Sequence, residues 1–355
     1  MEELSAYKLV QRQGSSFHFG LRGIGAEVSG EYCPSDTLFA ALVAVAAEAR
    51  SDPDAEGLCK AFAQSPGGPP FLLSSAFPFA RDVRLLPVPK LRLKVLPRRG
   101  LGRLLKDLAY ISEGVFRLVL AGERLDELVG EHNLLQNKTV LVTPSERSSL
   151  DHLSLGLIWT VASVPRVTVD RGASGSEIYH VGRVSFAPEC GLYFLVKWRD
   201  DRWRDSLEEL LRLLGDAGLG GRRSVGHGQF DPVADRPIDL PVVCEEGSLF
   251  VTLSRYHPTL GELGSGALGP GASYGLSAVG GWLSSPGQTA QRRRVVRMID
   301  EGSVLRHAGQ ETYGDLSDVR PAHDAGPFAH PVYRYGFAFP VAVSSEAVAE
   351  EEGNG

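Results

Sequence analysis

The chain has 355 residues, 43% of them apolar, and a formal charge of −6; at roughly 150 residues per domain it can bury a sizeable core and is expected to form two domains. No stretch approaches the ~18 uncharged apolar residues of a membrane-spanning helix, and the opening residues lack the basic-then-apolar layout of a signal peptide, so a cytoplasmic protein without membrane contact is expected. Cys33, Cys59, Cys190 and Cys244 show neither C-x-x-C nor His-containing zinc spacing, which leaves redox and metal chemistry without support and predicts four small buried hydrophobes.

In chain order, Ser5 to Gly25 reads as an extended strand entering a glycine-spotted turn. Pro34, Ser35 and Asp36 then supply a helix start, and Leu38, Phe39, Leu42, Val43, Val45 and Ala46 make the next two turns apolar on nearly every side, which predicts a helix packed on a sheet and covered elsewhere too. Pro and Gly between Ser51 and Gly68 mark loops, and Phe71 to Phe79 reads as a strand. From Arg81 to Lys106 nine basic residues stand against one acid, Asp82, in a Pro-punctuated run that reads as the start of an irregular insertion over about 80–155. Such a cluster is either a phosphate-binding surface or a solvated face.

From Leu155 the pattern turns to strands, with two β-rich runs predicting a long hairpin (about 164–186) whose tip is Arg171 to Ser176. Its Arg166, Arg171 and Arg183 suit an arm laid along a nucleic-acid strand, and equally a solvated crossover. A further strand over Gly191–Trp198 precedes Trp203, Leu207, Leu210, Leu211 and Leu214 at helical spacing, with Gly215 as the expected stop. The segment Gly218 to Gly228 follows, with five glycines in eleven residues around Arg222, Arg223 and Ser224. It lacks the Gly-Lys-Ser/Thr of a P-loop, and its helix precedes rather than follows it, so it is no dinucleotide fingerprint either. It reads as an anion-binding loop in which glycines bring backbone N–H groups to a phosphate, the alternative being a tight helix-to-strand connection. The order β-α-(insertion)-β-β-α-β over 1–236 is that of a ferredoxin-like, RRM-like domain. Residues 242–343 are strand-rich with weak helical signal and read as a degenerate second domain of the same kind, and 345–355, with four Glu and no cation, reads as a disordered acidic tail. The fold class expected is α+β.

His18, His227, His257 and His330 sit near Gly, Ser or Arg, the setting of metal-free ribonuclease chemistry, but no partner is placed beside any of them by spacing. Near the end, Tyr256, His257, Trp282, Arg293, Arg294, Tyr333 and Arg334 interleave aromatics with arginines, a composition that stacks bases and holds phosphates and that β-cores also contain.

Phe17–Gly20, Tyr32–Phe39, Ser74–Pro78, Val164–Arg171, Ile178–Arg183, Cys190–Phe194 and Gly220–Gly228, followed by Tyr256–Pro258, Gly280–Trp282, Arg292–Arg294, Val296–Met298, Glu301–Leu305 and His330–Gly336, resemble in order the fourth subunit of the type III-A (Csm) CRISPR complex, a RAMP-superfamily protein. The resemblance implies two RRM-like RAMP domains, the first with a protruding β-hairpin thumb, and a non-catalytic subunit without cofactor. Such a subunit grips the repeat-derived 5′ tag of the crRNA, joins the large polymerase-like subunit to the backbone RAMP subunits, and meets target RNA through the assembled complex. RNA and DNA cutting would belong to those other subunits. The implied RNA-binding residues are Phe17, His18, Ser35, Ser74, Ser75, Lys90, Arg166, Arg171, Gly220, Gly221, Arg222, Arg223, Ser224, Gly226, His227, Tyr256, His257, Trp282, Arg293, Arg294, Tyr333 and Arg334. The competing reading is a metal-independent RAMP endoribonuclease that matures crRNA through His18 or a loop histidine. The Arg98 to Gly156 stretch carries no part of the resemblance.

Overall fold

The computed structural model describes residues 2–20, 28–49, 54–64, 68–96, 101–169, 176–242, 244–283, 291–321 and 330–348. In the main sheet, strand Glu2–Gln11 pairs antiparallel with Cys190–Trp198 on its inner side and with the edge strand Phe230–Leu240 on the other. Cys190–Trp198 also pairs antiparallel with Phe77–Ala80 and with Phe71–Leu73. Leu192 to Val196 are buried without a break, as expected of a strand covered on both faces. The strand predicted over Phe71–Phe79 is interrupted at Ser74 and Ser75: Ser74 N still donates to Leu195 O at 3.0 Å, but its side chain takes the place of its carbonyl. Ser74 Oγ accepts from Leu195 N at 2.8 Å, while Ser75 N donates to Leu253 O, 2.9 Å away in the second half of the chain.

Two helices lie close against each other over this sheet, Ser35–Ala49 and Arg204–Ala217. The first buries Leu38, Phe39, Leu42, Val45 and Ala46 along one stripe and leaves Val43 half-buried, so its apolar surround is less complete than expected. The second buries Leu207, Leu210, Leu211 and Leu214 and runs through Gly215 to end at Ala217. A Cβ on Gly215 would stand 2.4 Å from Phe230 O, so this glycine serves close helix–strand approach, and Gly218, at φ +88°, ends the helix instead.

The stretch 80–155 continues the same sheet rather than interrupting it. Val83–Pro87, Tyr110–Ser112, Val140–Leu141 and Leu134–Leu135 follow Phe77–Ala80 outward in that order. Arg84, read as part of a basic run, is buried and bridges Asp235 at 2.8 Å and Glu113 at 3.3 Å. Burial works against the Asp235 carboxylate, yet Arg84 and Lys8 hold it below the usual carboxylate range.

The described part of the second half consists of small sheets: a three-stranded one, with Leu249–Thr252 between Val304–Arg306 and Pro340–Ala342, and two-stranded pairs such as Leu276–Val279 with Val296–Ile299. Leu249, Val251, Val304, Tyr335 and Val341 share one core with the first half, where Phe39 and Phe62 pack on Tyr335 with ring centroids 5.4 and 6.1 Å apart, while Phe250, Tyr256, Ile299, Leu305 and Tyr313 form a separate cluster. The tail begins as a helical turn, Ser345–Val348, docked by Ser344 N on Leu120 O (2.9 Å) and by Lys94 Nζ on Glu346 O (2.7 Å), so these residues are ordered, contrary to expectation. Residues 349–355 lie outside the described residues. Cys33 and Cys190 are buried and Cys59 and Cys244 half-buried, all as free thiols, and burial raises Cys59 and Cys244 to about 11. Among the described residues no helix is long and apolar enough to cross a membrane.

Candidate nucleic-acid interface

The glycine loop is clamped between the segment Ser15–His18 and the base of the long hairpin. Gly221 N donates to His18 O and Gly228 N to Ser16 O, both at 2.8 Å, while Leu219 N closes the loop on Gly228 O at 2.9 Å. Gly226 N is engaged as well, on Arg223 O at 3.0 Å. The loop's glycine N–H groups at 221, 226 and 228 therefore close the chain on itself instead of pointing at a ligand, a correction to the anion-cradle reading of the glycines. Close crossing explains these glycines: an added Cβ would come within 2.2 Å of Leu219 O at Gly228 and 2.6 Å of His18 O at Gly220. Both positions also have positive φ. We expect Gly228→Ala to cost about 3 kcal/mol in urea unfolding, whereas Gly226→Ala, with open space around it, costs about 1 kcal/mol for its left-handed φ alone. Equal losses would show that the crossing is looser than described.

What the clamp presents outward is charge. Arg222 and Arg223 line an open cleft of about 550 Å³ with Gly220, Ser224, Ala217 and Glu48. Arg222 sits over the Tyr179 ring, 5.1 Å from its centroid, and Arg223 is 3.6 Å from the exposed Glu48. Tyr179 comes from the hairpin, whose strands Trp159–Val169 and Ser176–Phe186 pair in continuous register with Arg166 directly opposite Tyr179 and Arg183 opposite Ala162. Directly opposed residues share a face of a hairpin, so Arg166, Arg183 and Tyr179 lie on the side that meets Arg222. The hairpin is anchored by Phe17 N and O on Val184 O and N, each at 2.9 Å, and by His18 Nδ1 on Gly182 O at 2.7 Å. His227, with Nδ1 2.9 Å from Ser16 Oγ, is held below the usual histidine range by burial, with the charges of Arg166, His18 and Arg183 adding to the effect.

Phe17, His18, Arg166, Gly220, Gly221, Arg222, Arg223, Ser224, Gly226 and His227 thus form one corner of the molecule. Within it Phe17, His18 and His227 are buried supports, and Arg166 and Ser224 are exposed. Arg171 lies outside the described residues. Arg183 belongs to the arm read from the sequence, whereas Tyr179 and Glu48 were not anticipated. The hairpin register would have pointed to Tyr179, but nothing local places Glu48, at the end of a helix, beside Arg223.

The remaining candidates fall elsewhere. Ser35, Ser74, Ser75, Tyr256 and Arg334 are buried and bonded within the chain, which corrects their placement on an RNA surface. Ser75 Oγ donates to Glu301 at 2.5 Å and accepts from Ser35 N at 2.8 Å; Tyr256 Oη donates to Glu262 at 3.0 Å; Arg334 pairs with Asp36. Lys90 is exposed and holds Gly302 O through its backbone N–H at 2.8 Å. Arg293, Arg294, Tyr333 and the backbone of Trp282 gather on the small strands of the second half, in the pairs Trp282 with Arg292 and Tyr333 with Asp318. His257 Nδ1 is 2.9 Å from both Asp315 and Ser317. Because the two groups share one ring nitrogen, Ser317 is not arranged as a nucleophile activated at the far nitrogen. Among the described residues no group of three or more His, Cys, Asp or Glu is arranged to hold a metal.

The RAMP superfamily model matches residues 84–231, and the CRISPR Csm4 C-terminal domain model matches residues 245–343. The CRISPR system Cms protein Csm4 of Thermococcus onnurineus is 30% identical over 184 residues, which cover 51% of this chain and 53% of that protein. The chain spans about half the length of the curated relatives it matches. Among solved structures, the Csm3–Csm4 subcomplex of the type III-A CRISPR-Cas interference complex aligns at a TM-score of 0.63 and 18% identity, over 96% of this chain and 99% of that one. The Csm1–Csm4 cassette with cA4 aligns at 0.54 and 20%, over 97% and 98%. At such identities these two show the shared fold. The two family models, which match residues 84–231 and 245–343, place the chain in the RAMP superfamily, in its Csm4 branch.

Proposed function

We propose that the chain is the crRNA-binding, non-catalytic subunit of a type III-A CRISPR interference complex, gripping the repeat-derived 5′ tag at the corner between glycine loop and hairpin. The observation that carries this reading is the pair Arg222 and Arg223 on one open cleft, with Arg166 and Arg183 on the face of the neighbouring hairpin that meets Arg222, built on a loop that the chain holds by its own backbone bonds. Guanidinium forks beside a half-buried aromatic are what an RNA backbone with splayed bases needs. The exposed arm, with Val161, Val167 and Ile178 bare of cover, is the thumb of this reading. The strand order Phe230–Leu240, Glu2–Gln11, Cys190–Trp198, Phe77–Ala80 supports a ferredoxin-like first domain with 80–155 added at its edge.

By the same reading the subunit works in the cytoplasm in antiviral defence and links the large polymerase-like subunit to the backbone RAMP subunits. Relatives of its fold are found with Csm1 and with Csm3, which supports that linking role. Against the endoribonuclease alternative stands the setting of His18 and His227, both buried beneath the loop with one ring nitrogen bound to the chain's own atoms. Purified chain incubated with repeat RNA in EDTA is expected to bind it and leave it intact. Accumulation of 2′,3′-cyclic phosphate ends would instead assign the site to cleavage.

A further inference from the structure

The long hairpin is a two-stranded sheet of its own, and its second strand carries the anchors at Phe17–Val184 and His18–Gly182. A third anchor grips the same strand. Phe186 N donates to Gln11 Oε1 at 3.0 Å, and Gln11 Nε2 donates to Ser15 O at 2.6 Å, within the segment that clamps the glycine loop. An isolated two-stranded ribbon has little stiffness of its own, and one held along a single edge can swing about that edge.

The first strand is held from the opposite side by Gln136. Its buried amide lies against the root of the strand as a neighbouring strand would: Oε1 accepts from Ile158 N at 2.8 Å and from Trp159 N at 3.3 Å, and Nε2 donates to Trp159 O at 2.9 Å. The amide oxygen thus faces two N–H groups and the amide nitrogen a carbonyl, so each end meets the partner it needs. Trp159 stands opposite Phe186 in the hairpin register, so at this first rung each strand is met from outside by a glutamine, Gln136 on one and Gln11 on the other. Among the described residues Gln136 is the only side chain from outside the hairpin that bonds to the backbone of the first strand.

The backbone that carries this amide is held in an unfavourable shape. Gln136, Asn137 and Lys138 stand at left-handed φ of +50°, +56° and +70°, and Leu155 and Gly156 at +56° and +64°. Gln136 N joins the two turns by donating to Gly156 O at 2.8 Å. Residues other than glycine rarely adopt this region, and a run of them persists only where the surroundings over-determine it. What the strained turn delivers to the interior is the amide seated on the hairpin root.

We propose that Gln136 is a positioning residue that fixes the direction in which the hairpin leaves the sheet, and with it the place of Tyr179 beside Arg222. The stretch 80–155 is then the seat of the arm. The consequence for RNA rests on the reading that the corner beside the glycine loop holds the tag; the seating of the hairpin does not.

The test is the distance distribution between nitroxide labels on Ser163→Cys, exposed on the hairpin, and Glu209→Cys, exposed on the helix Arg204–Ala217, in the full chain without RNA and with the half-buried Cys59 and Cys244 replaced by alanine. One narrow distance is expected with Gln136 in place, and a broad, shifted distribution in Gln136→Met. Should Gln136→Met fail to fold, Gln136→Asn keeps the test, since asparagine tolerates left-handed φ but is one methylene too short to reach Ile158 and Trp159. It too should broaden the distribution. Asn133→Ala removes another buried amide bond of the same stretch, to Leu128 O at 2.9 Å, and should leave the narrow distance as it was. A narrow, unshifted distance in the Gln136 variants, or equal broadening in Asn133→Ala, overturns the positioning role. Tag affinity in Gln136→Met should fall roughly tenfold, the loss of about one charge-assisted contact. A broadened hairpin with unchanged tag affinity would leave Gln136 as the seat of the arm and contradict the reading that the arm helps to hold the tag.

Discussion

Replacing both Arg222 and Arg223 by alanine should lower affinity for the 5′ tag on the order of a hundredfold or more, because each charge-assisted contact contributes roughly 1.5–3 kcal/mol where well formed. The fold should survive. Arg222 already occupies left-handed φ at +63°, so alanine inherits the same backbone strain, and the bonds that hold the loop are backbone bonds of its neighbours. The salt dependence of binding should flatten by about one to two phosphate equivalents, since fewer counterions are released. Arg223 gives up a contact with exposed Glu48 when it turns to phosphate, so it is the weaker of the two. The matched control is Arg92→Ala with Lys94→Ala, which removes equal charge from the basic run. If that pair weakens tag binding as much, binding is diffuse electrostatics and the glycine loop is not the holding site.

The largest loss of stability should follow Asp36→Asn. Asp36 is fully buried and holds Arg255 and Arg334, which come from the other half of the chain. Removing one partner of a buried ion pair costs about 3–5 kcal/mol, because the partners stay buried without compensation. Against a typical total of roughly 5–15 kcal/mol, such a loss should appear as a markedly lower urea midpoint and poor soluble yield. The comparison is Glu56→Gln, which breaks the exposed helical pair with Lys60 and should leave the midpoint unchanged. An Asp36→Asn midpoint equal to wild type would mean that water, not Asp36, compensates these arginines.

Local chemistry in the sequence was sufficient for elements whose reasons are local. Pro34 to Asp36 marked the start of the first helix, and the leucine spacing from Leu207 marked the face of the second. It misled where a residue serves a distant partner. Gly215 looked like a stop because its contact, Phe230 O, lies on a strand beyond the loop. Arg84 looked like part of a solvated basic face because Asp235, 151 residues away, and Glu113 neutralise it inside the sheet. Ser35, Ser74, Ser75 and Arg334 looked like exposed polar groups because their partners are likewise remote in sequence, Arg334 and Asp36 by 298 residues. At the glycine loop, composition pointed to the right place for half the right reason: the arginines face outward, while the glycines let the chain cross itself.

The central claim, that this chain holds the 5′ tag of the crRNA, is tested most directly by hydroxyl-radical footprinting of the guide RNA in the reconstituted complex, with and without this subunit. With the chain present, the tag nucleotides should be protected, and leaving it out should expose them while the guide portion stays covered. A tag equally protected in its absence would contradict the account.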